Sequence, residues 1–148
     1  MENIEKENKE KYATFREDLS LLIEAGFVAV KQLDETSAQR IFNAAQVIAP
    51  DSTAPKLGFG FIALSKMECE EAAKIYGEII EIEPDNELAR TFFGICLLFT
   101  KGKDKEGSAI IEKIKESSQD PNIINLANQA METYELKFAK KKAMPFGN

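Results

Sequence analysis

The segment LSLLIEAGFVAVKQLDETSAQRIFNAAQVIAPDS, residues 19–52, runs straight into TAPKLGFGFIALSKMECEEAAKIYGEIIEIEPDN, residues 53–86, and the two align without a gap. Gly26 falls on Gly60, Ala38 on Ala72, Phe42 on Tyr76 and Pro50-Asp51 on Pro84-Asp85, each at a step of 34 residues. Gly94 extends the glycine series by one more step. Four chemically matched landmarks in one register mark an internal repeat. Its length is that of a helix–turn–helix unit. Such units stack, and their use is a surface that holds another chain rather than a catalytic centre.

The apolar spacing inside each segment agrees. Phe15, Leu19, Leu22, Ile23, Gly26, Phe27 and Val30 recur at steps of three and four, which predicts a helix over about 7–31 with one buried stripe. Leu33-Asp34 is a turn, and a second helix over 35–49 is stopped by Pro50. Asp51, Ser52 and Thr53 offer capping oxygens for a third helix, which runs to about residue 66. A fourth over 69–83 ends at Pro84, and Asp85 or Asn86 caps a fifth that reaches about residue 100. After a turn at 101–104, a sixth covers 105–118, and Pro121 takes the first position of a last helix over 121–141. Gly77 and Gly102 lack repeat counterparts and read as helix ends or turns. No period-two alternation competes, so the chain is all-α. The expected organisation is a single domain, 1–148. It has a charged entry segment (1–18), repeats at 19–52, 53–86 and a degenerate 87–120, a closing helix over 121–141 and a tail over 142–148, frayed from Met144.

Composition narrows the function. The net charge of −6 argues against nucleic acid, which needs a basic face. The start of the chain is charged with both signs, unlike a secretory signal, and the apolar run 92–99 is too short to span a bilayer. Two cysteines without a CxxC spacing, and no histidine, argue against a disulfide framework, a zinc site or any other metal site. The same lack removes Ser-His and Cys-His nucleophiles, and although carboxylate catalysis stays open in principle no acidic pair stands out for it, so neither enzyme activity nor a cofactor is expected. Gly58-Phe59-Gly60 lacks the third glycine of a dinucleotide site, and Lys101-Gly102-Lys103 lacks the spacing of a phosphate loop. Cys96 reads as core and Cys69 as a partly exposed thiol. Lys137, Lys140, Lys141 and Lys142 form the one basic cluster, which suits a helix C-terminus.

On these residues the chain resembles the tetratricopeptide repeat family, well over 19–85 and partly over 86–120. The resemblance implies a right-handed superhelical stack of about three helix pairs with a closing helix. It implies that Gly26, Gly60 and Gly94 let the second helix of each pair approach the first, meeting Ala38 and Ala72. Phe42 and Tyr76 would pack between repeats. The third repeat departs from the pattern: Glu106 stands where alanine is expected, with Gly107 next, and Pro121 comes three residues late. Either its turn is longer or its second helix is shifted.

In that family the first helix of each pair lines a concave face. Here the projected stripe is Ile23, Phe27, Val30, Leu57, Phe61, Leu64, Leu88, Ile95, Leu98 and Phe99, all apolar. Ile23 and Phe27 stand where the family's carboxylate-clamp members carry polar residues, so that clamp is not expected. An apolar groove suits an amphipathic helix of a protein cargo. In size, acidity and groove the chain resembles bacterial type III secretion chaperones. That resemblance implies a cytoplasmic protein holding a needle subunit, with a small co-chaperone, or else a translocator subunit. The alternative is an interaction adaptor or self-associating scaffold, with the stripe covered in a homodimer or under the closing helix. No membrane contact is expected.

Overall fold

A computed structural model describes residues 1–143, and the tail expected at 142–148 lies largely outside them. Those residues form seven helices and no strand. They divide into two compact units, 1–66 and 67 onward.

The first unit holds α1 (Glu2–Lys31), α2 (Glu35–Ile48) and α3 (Ala54–Ser65), each packed on the other two. The charged entry segment is helical from Glu2, so α1 is one continuous helix of 30 residues. Glutamate precedes lysine by four residues at 2/6, 5/9 and 7/11, a spacing that favours helix without any core contact. Asp34 caps α2, its carboxylate accepting the Ser37 amide at 3.0 Å, and these hydrogen bonds hold its carboxyl below the usual range. Of the three offered oxygens ahead of α3, that of Ser52 accepts the Ala54 amide, at 3.2 Å.

Phe42 is the centre of this unit and is 0% exposed. Its ring lies where a side chain on Gly26 or on Gly58 would be: a Cβ at either glycine would overlap the ring edge. Gly26 therefore makes room for the aromatic of its partner helix rather than for Ala38. Gly58 opens the same space from α3, so the ring sits between consecutive repeats as expected. Phe27 and Phe59 pack edge-on against it at 5.6 and 5.9 Å.

The second unit holds α4 (Cys69–Ile82), α5 (Glu87–Leu98), α6 (Asp104–Ser117) and α7 (Pro121–Ala143). Helix α5 packs against the other three, and α6 also meets α7. Asn86 caps α5 by accepting the Ala89 amide at 3.0 Å. Tyr76 is fully buried and stacks on Phe92 at 5.2 Å, again an aromatic between repeats. Gly77 is a correction: it lies inside α4, where a Cβ would stand 3.7 Å from Phe93. Cys69 is a second one, being buried with Cys96 rather than partly exposed. Burial pushes both thiols up, Cys96 to about 12, so neither is a thiolate at neutral pH.

The repeat is also written in the backbone. Leu33 (φ 61°), Met67 (φ 59°) and Gly102 (φ 81°) all take the left-handed conformation, at steps of 34 and then 35 residues. The extra residue lies in the α5–α6 turn, 99–103, which is longer than the turns at 32–34 and 66–68. Helix α6 therefore lags the register by one, and Gly107 replaces Glu106 at the close approach. A Cβ at Gly107 would overlap the backbone amide of Leu98 and lie 2.7 Å from the carbonyl of Gly94. Both readings of the third repeat hold at once: the turn is longer and the helix is shifted.

Leu33 holds its conformation at a cost of roughly 1 kcal/mol with nothing gained from burial, being 84% exposed. Replacing Leu33 by asparagine, which tolerates that conformation, is expected to raise stability by up to about 1 kcal/mol in urea denaturation.

Candidate partner-binding face

Within the first unit, two stripes of the same spacing meet. Ile23, Phe27 and Val30 lie on α1, and Leu57, Phe61 and Leu64 lie on α3, each set at i, i+4, i+7 and offset by one repeat. The rings of Phe27 and Phe61 are 5.4 Å apart. Ile23, Phe27 and Phe61 are half-buried, resting on a core of Ala29, Val30, Ala38, Phe42 and Ile62. Leu57 and Leu64 are half-buried too, whereas Val30 is 4% exposed and belongs to the core itself. Glu24 is the one charged residue between 19 and 30, and 57–65 has none. The face is therefore a shallow apolar strip with Phe27 and Phe61 at its middle.

In the second unit the projected residues fare differently. Ile95 (7%) and Leu98 (1%) are core, while Leu88 and Phe99 are half-buried. Helix α5 is enclosed by α4, α6 and α7, and α7 sets Tyr134 edge-on to Phe99 at 6.0 Å. The Tyr134 hydroxyl donates to Asp104 at 2.9 Å, so α7 is tied to the start of α6. That hydrogen bond holds the Tyr134 phenol above its ordinary value. Thr91 takes the register position of Phe27's stripe partner Ile23 on this helix. It is fully buried, its hydroxyl donating to the Glu87 carbonyl at 2.7 Å.

Two residues central to this arrangement carried no signal in the repeat register. Gly58 aligns with Glu24 and Phe92, so the glycine series passes it by. Tyr134 lies beyond the repeats, and its pairing with Phe99 follows from the docking of α7.

Among the described residues no helix is long and apolar enough to cross a membrane. Nor does any group of three or more of their histidine, cysteine, aspartate and glutamate side chains suit a metal ion. No buried side-chain polar atom among them lacks a hydrogen bond.

Fold and face together define an all-helical repeat protein with an apolar strip on its first unit. The family is narrower still. The model of a family described as bacterial type III secretion protein (HrpB1_HrpK) matches residues 11–136, and the chain belongs to that family. No curated protein and no solved structure matches it.

Proposed function

We propose that the chain is a type III secretion chaperone that holds an amphipathic helix of a needle or translocator subunit against the α1–α3 strip. It would do so in the bacterial cytoplasm, keeping that subunit from assembling before export. The observation that carries this reading is the strip itself. Ile23, Phe27 and Phe61 stay half-open over a filled core, with no charge among them. Each large apolar anchor laid on such a strip contributes up to ~1.5–3 kcal/mol, so a few anchors offset the cost of ordering a helix. Membership of a secretion family supports the export context. Neither a catalytic group nor a cofactor enters the scheme.

A second reading, a self-covering adaptor, draws support from α7, which already lies over Phe99 on α5. The two separate by experiment. Phe61→Glu is expected to keep its helical circular dichroism and to lose a co-expressed needle or translocator subunit on co-purification. Ile23→Glu, nearer the edge of the core, serves as the milder variant. Retention of cargo by either folded variant at the wild-type level contradicts the chaperone reading.

A further inference from the structure

The turn after α5 and the end of α7 enclose a cleft of about 400 Å³. That is near the lower end of the ~300–1,000 Å³ typical of ligand pockets, room for one or two side chains and not for a helix. Its wall is a run of three rings. Phe99 meets Tyr134 edge-on at 6.0 Å, and Tyr134 stacks on Phe138 at 6.3 Å. Phe138 leaves half of its surface open, at 50%. Around these rings stand Lys101 from the turn and Lys137 and Lys141 from α7. The Lys137 ammonium sits 5.6 Å from the centre of the Phe99 ring. The carboxylate in the cleft, Asp104, accepts the Tyr134 hydroxyl, and among the described residues none of the three lysines is in an ion pair.

A helix C-terminus favours nearby cations, which accounts for Lys141 in the last turn of α7 but not for Lys137. Lys101 belongs to a different element and yet brings its charge to the same rings. Three lysines that make no ion pair among the described residues stand around an aromatic wall, and in a chain of net charge −6 they select an anion attached to an apolar group. A long polyanion is disfavoured. The adjoining groove, which shares Phe99, Thr100, Lys101 and Lys137 with the cleft, is edged by Glu68, Glu70 and Glu71, which repel a phosphate chain long enough to extend into it.

We propose that this cleft is a second binding site, for a peptide segment carrying one large apolar side chain flanked by carboxylates. The apolar side chain lies against Tyr134 and Phe138, and the carboxylates meet Lys101, Lys137 and Lys141. The site is separate from the α1–α3 strip and stands or falls without it.

The test is fluorescence anisotropy with the full chain. The probe is a short fluorescein-labelled peptide with a central phenylalanine flanked by glutamates. Saturable binding is expected, weakened about tenfold by Lys137→Glu and by Phe138→Ala and reduced further by salt. Lys137 and Lys101 are exposed, so Lys137→Glu and Lys101→Glu, the latter an independent third variant away from α7, should leave the melting curve in place. Phe138→Ala also loses its stack on Tyr134 and is checked for retained helicity by circular dichroism. A peptide with lysines in place of the glutamates should not bind. Equal binding of the two peptides, binding untouched by all three variants, no saturation, or tighter binding of a single-stranded oligothymidylate would each overturn the proposal.

Discussion

Phe42→Ala is expected to destabilise the protein by about 3–5 kcal/mol, the largest effect of any single truncation in the first unit. The ring is fully buried, and it faces glycine on both sides, Gly26 of α1 and Gly58 of α3. Most truncation cavities shrink because neighbouring side chains relax into them. Here two of the walls are bare backbone, so little can move in. The same geometry predicts a change of sign elsewhere. In the wild type, Gly58→Ala drives a methyl group into the Phe42 ring and destabilises. In the Phe42→Ala background that methyl fills vacant space, and the helix gains about 1 kcal/mol of propensity. A double-mutant cycle by urea denaturation should therefore give a favourable coupling of up to ~3 kcal/mol. If Gly58→Ala costs the same in both backgrounds, the glycine is not there for the ring.

Gly107→Ala should be the most damaging small substitution in the second unit, at the top of the ~1–3 kcal/mol range for overpacking. Its nearest neighbours are the Leu98 amide and the Gly94 carbonyl, which are backbone and cannot swing aside. Helix α6 would have to move away from α5. Glu106→Ala, one residue earlier and exposed, should change stability by less than about 0.5 kcal/mol. The pair tests the one-residue lag directly. A costly Glu106→Ala beside a tolerated Gly107→Ala would place the close approach back in the unbroken 34-residue register.

These two sites also show what could be read before any coordinates. The step of 34 residues located the first two helix pairs, and the third up to its one-residue lag, because stacked units need the same small and aromatic residues at the same depth. It could not foresee how two joints solve one problem differently. Phe42 faces Gly58, whereas Tyr76, one step on, faces Phe92. One joint sets ring against backbone and the other ring on ring, since the register counterpart of Gly58 is Phe92. The lag of α6 was half legible, since Glu106-Gly107 sat beside the expected small residue and the added turn residue decided between them. The strip on α1 and α3 followed from periodicity. The burial of Ile95 and Leu98 did not, because a helix wheel reports which face is apolar and not what covers it. Val30 shows the same thing in the first unit, where the core claims the inner edge of the stripe.

The central claim is that a secretion substrate is held on the α1–α3 strip. Hydrogen exchange read by mass spectrometry, with and without the co-expressed needle or translocator subunit, tests it most directly. Bound cargo is expected to slow exchange in peptides covering 19–31 and 54–65, while 35–48 and 104–117 stay as in the free protein. Protection confined to α7 and the α5–α6 turn, or no added protection over 19–31 and 54–65 in a complex that co-purifies, would contradict the claim.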